Sequence, residues 1–426
     1  MKYLFSIACG GLLLFSIACA DADTVAKARD VVPADSLERK LMMGYQGWFA
    51  CPGDGSPMGR WAHWFRGHPP AAANAKVDFW PDVSELEPDE LYDTGLTLSN
   101  GHPAKVFAAW NKKTVVRHFR WMKENELDGV FLQRFTAELA WPSGFMWRNQ
   151  VTANVRAGAE AHGRVFAIMY DISGQKPARL VSTFTNDWTY LTGAMQITKS
   201  PRYLRHKGKP VVAIWGFGFT DRPGTPQEAQ AVIKFFKAAG CTVMGGVPTN
   251  WRTLDGDSQT DAAWADVYRS FDIISPWSVG RYANTEQADG YKQNIIIPDL
   301  ADTKARGLGY MPVIFPGFSW HNLKKESPLN QIPRLGGTFY WHQVHNAVAA
   351  GCTMIYGAMF DEVDEGTAMF KLAPTAADLP APGTFVPLNI DGTNLPSDWY
   401  LRLAGQAGKM LRGEIPLQTK IPIAPE

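Results

Sequence analysis

Cysteine is scarce in this chain and poorly placed for a framework. Of five cysteines, Cys9 and Cys19 fall near the N-terminus, which leaves Cys51, Cys241 and Cys352, far apart and odd in number. One disulfide could form, but a cystine scaffold is excluded. No CxxC and no HExxH occurs. The nine histidines are scattered, and only His342 and His345 stand at metal-like spacing, so no metal or cofactor is expected. Runs of like charge are missing as well. The 42 Lys and Arg nearly balance 41 Asp and Glu and are spread along the chain, which argues against a nucleic-acid groove or a charged tail. Past the N-terminus no apolar stretch is long enough to span a bilayer. There is no G-x-S-x-G elbow, and Gly44 with Gly47 does not complete GxGxxG, so neither an α/β-hydrolase nor a dinucleotide turn is indicated.

What is present begins with a targeting segment. Lys2, an apolar stretch from Leu4 to Ile17, and the small residues Ala18-Cys19-Ala20 read as a secretory signal peptide over residues 1–20. Cleavage before Asp21 implies export, to the periplasm or the medium. The alternative is a membrane-anchored lipoprotein lipidated at Cys19, although Ser16 stands where a lipobox prefers an aliphatic residue. Residues 21–40 are polar and read as a loosely held lead-in. Residues 41–426 read as one domain, since no repeat or linker divides them, and a monomer is expected.

Within that domain, eight apolar runs alternate with helical stretches. They cover residues 42–49, 128–134, 165–170, 210–215, 241–246, 271–275, 310–315 and 353–360. The runs are nearly continuous in apolar residues, as strands covered on both faces are. Strand–helix alternation implies right-handed βαβ units, and eight of them imply a (β/α)8 barrel. An open doubly wound sheet is the runner-up. Residues 51–111 are too many for a simple βα loop and read as an insertion at the barrel mouth.

Barrels carry chemistry at the C-terminal ends of their strands. The positions there are rich in acids, aromatics and amides, the lining of a sugar cleft. They include Trp48, His63 and Trp64 after the first run, Gln133 and Arg134 after the second, and Asp171 after the third. Trp215 and Trp277 follow the fourth and sixth, and Trp320 and His321 follow the seventh. Any of the 16 Trp could equally fill core. After the eighth run come Asp361, Glu362, Asp364 and Glu365, four carboxylates in five positions. Crowded carboxylates hold protons at unusually high pH. Glycosidic cleavage needs that, with one acid for the leaving oxygen and one carboxylate as base or nucleophile. The bland alternative is a solvated acidic cap on a helix starting near Thr367.

Glu362-Val363-Asp364-Glu365-Gly366-Thr367 resembles the E-x-x-E-G-T motif of glycoside hydrolase family 99, the endo-α-mannosidases, and of related family 71. Gly44-Tyr45-Gln46-Gly47-Trp48-Phe49 with Trp61-Ala62-His63-Trp64 is similar to that family's opening strand and H-W pair. Residues 311–318 are similar to its seventh strand with a P-G-aromatic turn. The resemblance implies a retaining α-glycosidase acting on a polysaccharide or glycan, α-mannan being one candidate. It implies that Glu362 deprotonates the sugar's 2-hydroxyl and that Glu365 protonates the leaving oxygen, then activates water. Tyr45, Trp48, His63, Trp64, Trp215, Trp277, Trp320 and His321 are expected to bind sugar, and Arg134 and Asp171 to hold hydroxyls. The chain departs from the family at Asp361, where Asn is usual, at Val363-Asp364, where Trp-His is usual, and at Tyr170, where His precedes the third-strand acid. The rival expectation is a glycan-binding barrel without catalysis.

Overall fold

The computed structural model describes Met1 and residues 29–425. The signal-peptide reading of residues 1–20, its Cys19 and most of the lead-in lie outside the described residues. From Arg29 onward the lead-in is held, not loose. Val32 and Leu37 are fully buried, Val32 N donates to Gly163 O at 2.8 Å, and Leu37 N donates to His206 Nδ1 at 3.3 Å.

The chain then enters β1 (Lys40–Tyr45). A long connection follows, carrying the antiparallel hairpin β2 (Tyr92–Thr97) and β3 (Pro103–Val106). Helix α1 (Lys112–Glu124) leads to β4 (Gly129–Phe135), α2 (Pro142–His162) to β5 (Val165–Asp171), and α3 (Leu180–Gly193), through the short β6 (Arg205–His206), to β7 (Lys209–Trp215). Next come α4 (Pro226–Ala238), β8 (Thr242–Val247), α5 (Ala263–Arg269) and β9 (Ile273–Pro276). Helices α6 (Thr285–Tyr291) and α7 (Ile297–Ala305) precede β10 (Gly309–Tyr310) and β11 (Val313–Ile314). Helix α8 (Thr338–Ala349), β12 (Met354–Gly357) and α9 (Trp399–Arg412) complete the chain.

The parallel strands run in the order β10-β9-β8-β7-β5-β4-β1-β12-β11. Only Met311 and Pro312 separate β10 from β11, so these two form one broken seventh strand. Its first half pairs with β9 and its second half with β12. Pro312 lacks an N–H, yet its carbonyl accepts from Tyr356 N at 3.0 Å, and Met311 N donates to Ile274 O at 2.8 Å. The eight-stranded ring is therefore a (β/α)8 barrel. All eight apolar runs of the sequence fall on its strands. The burial that makes them apolar is visible along β1, β8 and β12, where every residue is buried. Close approach has its own requirement: at Gly129 a Cβ would lie 1.9 Å from Val165 O.

Cys51, Cys241 and Cys352 are buried free thiols, so the one disulfide that their number allowed is absent. No described helix is long and apolar enough to cross a membrane. His342, on α8, bonds Asp289 Oδ1 through Nε2 at 2.8 Å.

Candidate active site

The residues that follow β12 carry the acidic cluster. Main-chain pairing continues past the strand, with Ala358 N donating to Ile314 O at 2.9 Å and Phe360 N to Gly44 O at 2.7 Å. The chain then turns. No helix starts at Thr367; residues 361–370 form turns and irregular backbone. Nor is the segment solvated, since Asp361, Glu362, Val363, Asp364 and Thr367 are buried. The helix-cap alternative is thereby set aside.

Each member of the E-x-x-E-G-T sequence has a structural reason to be what it is. Thr367 Oγ1 donates to Glu362 Oε2 at 2.6 Å, and Thr367 N donates to Glu362 O at 3.1 Å. Gly366 has φ +69°, and a Cβ there would sit 2.6 Å from Ser319 N. That tight passage lets Ser319 N donate to Glu365 O at 3.0 Å. The loop after the seventh strand is itself pinned by buried Asp78, which accepts from His321 N and Asn322 N, each at 2.7 Å.

The four carboxyls have four different surroundings. Asp361 accepts Gln46 N at 2.7 Å and Gly47 N at 2.9 Å, so it staples the end of β1 to the loop. Burial pushes its carboxyl up to about 7, against the pull of those two amides. Glu362 accepts from Gln46 Nε2 and from Thr367. Burial, then the nearby charges of Glu365 and Asp364, hold it well above the ordinary range, while its two donors oppose the rise. Glu365 is half-buried and has no side-chain partner; burial and the charge of Asp364 push it up to about 7. Asp364 Oδ2 meets His63 Nδ1 at 2.7 Å, and burial pushes this carboxyl to about 7. His63 is held well below its usual range, first by burial and then by Lys76. Among the described residues Glu362 and Glu365 form no ion pair.

Glu362, Asp364 and Glu365 open into one cavity of about 510 Å³ at the C-terminal end of the barrel. Trp48, His63, Trp215, Trp277, Trp320 and Asp171 line it too. Trp48 and His63 form a flat stacked pair, with centroids 3.9 Å apart and planes 5° apart. Asp171 accepts Ser173 N at 2.7 Å, and burial pushes its carboxyl to about 6. Gln133, read at the end of the second run, also faces the cavity, as do Gln46, Lys76 and Arg222, which the sequence reading missed.

Four expected residues do not reach it. Tyr45 is fully buried behind β1, its hydroxyl 2.9 Å from His118 Nδ1 and its ring stacked on Phe360. Trp64 is core, donating from Nε1 to Phe107 O at 2.9 Å. Arg134 is fully buried among the helices, bonded to both Asp187 oxygens and to Thr152 Oγ1 at 2.8 Å. His321 Nδ1 bonds Ser327 O at 2.7 Å. Strand alternation explains the first and third: Gln46 and Gln133 take the inward positions, so their neighbours point away.

The fold has counterparts among solved structures. Two structures of the family 99 endo-α-mannosidase from Bacteroides thetaiotaomicron, one holding bis-tris propane, align with a TM-score of 0.62 at 15% identity. They cover 89% of this chain and 99% of that one. A glycoside hydrolase-like protein aligns with a TM-score of 0.50 at 14% identity, over 81% of this chain and 98% of its own. At such identities the likeness is one of fold. In sequence, no family model and no curated protein matches the chain.

Proposed function

We propose that this chain is an exported retaining α-glycoside hydrolase of the family 71/99 type, acting on a polysaccharide or glycan, with α-mannan a candidate. One observation carries the reading. Two buried or half-buried carboxyls, Glu362 and Glu365, open into the same aromatic-walled cavity at the catalytic end of a barrel whose fold an endo-α-mannosidase shares. Export rests on the N-terminal sequence, and the retaining course on the family resemblance.

The environments divide the two roles. A closely coupled pair holds its protons jointly, so one proton between two carboxyls is the working state. Gln46 Nε2 can only donate, and it stabilises the anion on Glu362. Glu365 lacks such a donor. Burial and the neighbouring carboxyls raise Glu362 further than Glu365, so placing the shared proton on Glu365 rests on this difference in donors and on the family resemblance. Ionised Glu362 then takes the proton of the sugar's 2-hydroxyl while that oxygen bonds to the anomeric carbon. Glu365 gives its proton to the leaving oxygen as the glycosidic bond breaks. In the second half Glu365 takes a proton from water, which attacks the anomeric carbon, and Glu362 returns its proton to the 2-oxygen. Two displacements retain the anomeric configuration. Trp48, Trp215, Trp277 and Trp320 offer flat faces to sugar rings.

The test is a reducing-end assay of purified protein on α-mannans and α-glucans, with Glu362→Gln and Glu365→Gln alongside. Each variant keeps size and loses the titrating group, so turnover should fall by roughly 10²-fold or more. Substrates with good leaving groups should partly spare Glu365→Gln but not Glu362→Gln. Wild-type rates in either variant on a poor leaving group would refute the assignment.

A further inference from the structure

A second cavity, of about 770 Å³, adjoins the first and shares Trp48, His63 and Lys76 with it. The Trp48–His63 stack is therefore a wall common to both. On the far side the cavity is aromatic, with Trp61 contributing a buried Nε1 that has no hydrogen-bond partner. It is also cationic: Arg60, Arg66 and Lys76 line it. Among the described residues none of these three forms an ion pair. The carboxylate in the lining, Glu138, is already matched by Arg148.

Arg66 is a placed cation rather than a loose one. Its guanidinium donates to two neutral carbonyls, Asn322 O at 2.7 Å and Leu323 O. Those bonds fix it while leaving its charge unbalanced and most of its five donors free. Lys76 feels Asp364 from one side and Arg66 and Arg60 from the other, so it sits between the carboxyl cluster and the other two cations. The carboxylate that Lys76 feels, Asp364, lies on the side of the first cavity, and Arg60 and Arg66 are exposed and, among the described residues, unpaired. The three cations beside aromatic rings thus present a site that an anion from outside would fill.

We propose that this second cavity is a subsite for a sugar residue bearing an anionic group, a uronate carboxylate or a sulfate ester. The substrate of the proposed hydrolase is then an acidic glycan. The inference rests on the hydrolase reading for the place of the cavity beside the reacting sugar. The sugar ring would lie against the aromatic wall, and its anionic group would meet Arg60, Arg66 and Lys76. Fixed guanidinium donors suit both oxyanions.

The test uses full-length protein carrying Glu365→Gln, so that ligands persist, and titration calorimetry with two matched pairs. One pair is an α-linked oligogalacturonate and its carboxyl-reduced form. The other is a sulfated α-mannan oligosaccharide and its desulfated form. In at least one pair the anionic member should bind roughly 10-fold tighter, the worth of one good charge-assisted contact. The pair that shows the gap identifies the oxyanion. Adding Arg60→Gln with Arg66→Gln should close the gap, whereas Lys234→Gln with Lys304→Gln, on the outer helices α4 and α7, should leave it. Equal binding of both members in both pairs, no binding of either anionic probe, or a gap that survives the Arg60/Arg66 variant would overturn the inference. Reducing-end release separates it from the hydrolase reading. Cleavage of neutral glycans, unchanged by the Arg60/Arg66 variant, removes the subsite and keeps the hydrolase. An anionic preference without any cleavage removes the hydrolase and keeps the subsite.

Discussion

Replacing Glu365 with Gln should cost activity and gain stability, and the gain should depend on pH with a definite sign. In the folded chain this carboxyl titrates at about 7, against an ordinary value of 4.5, because burial and Asp364 disfavour its charge. A group whose folded-state value is raised binds protons more tightly in the native state. Its contribution is present in full below about 4.5 and is lost as pH climbs through about 7. Near pH 5 the wild-type side chain is mostly protonated in the fold, and Gln is a close neutral copy, so the two proteins should be nearly equal. Near pH 8 the wild type must hold an extra buried charge that Gln lacks. At about 1.4 kcal/mol per pH step the full difference is about 3 kcal/mol. Glu365 is partly exposed and shares its proton with Glu362, so screening and coupling reduce this to about 1–2 kcal/mol in favour of the variant. Urea unfolding followed by tryptophan fluorescence, at a series of pH values from about 5 to about 8, reads this directly. An advantage that is flat with pH, or a variant less stable than wild type near pH 8, would refute the reasoning about this carboxyl.

Asp364→Asn keeps a partner for His63 but removes a charge that raises both glutamates. The alkaline limb of the pH–rate profile, which reports loss of the acid's proton, should move down by about half to one pH unit; an unmoved limb denies the coupling. Arg134→Met leaves Asp187 buried without its cation and should destabilise by about 3–5 kcal/mol in urea unfolding, while KM on folded protein stays near wild type. Gly366→Ala must hold a positive φ and push against Ser319, so about 1–3 kcal/mol of strain falls on the loop; a fall in kcat with an intact fold by circular dichroism is the expected result. Mass spectrometry of the exported protein should find Asp21 as the first residue, and an intact Met1 would contradict export by this signal.

The sequence revealed the barrel because its evidence is repeated. Eight apolar runs, each bounded by helical segments, point to the same closed sheet, and an error in one would not have changed the conclusion. The site was legible to the level of a strand end but not of a side. His63 and Trp64 are neighbours, as are Trp320 and His321, yet His63 and Trp320 reach the cavity and the other two do not. Tyr45 and Arg134 failed in the same way, each beside a glutamine that faces inward. A shift of one residue turns a side chain from the lumen to the helices, and composition does not encode that choice where both neighbours are large and polar or aromatic. The signal that could have found Gln46, and chosen Gln133 over Arg134, was the period of two itself, counted inward from the apolar run. Lys76 was beyond such counting, because it lies in the connection between β1 and α1, where no period applies.

Four carboxyls crowded at one strand end would be a liability if they did the same thing. Their partners keep them apart in role. Asp361 spends both oxygens on the amides of Gln46 and Gly47, so it can neither approach a sugar nor lose its place. Asp364 commits one oxygen to His63, and through the Trp48–His63 stack it is tied to the wall between the two cavities. Glu362 is held at both oxygens by side-chain donors, and Glu365 by none. The order of constraint runs from backbone amides, through an imidazole, through an amide and a hydroxyl, to nothing. Bonds accepted from Gln46 and Thr367 favour the charged form that a base needs, whereas a carboxyl with no internal donor leaves both oxygens open to a substrate. That difference in donors supports the proposed acid at Glu365 and base at Glu362, alongside the family resemblance that suggests the same roles.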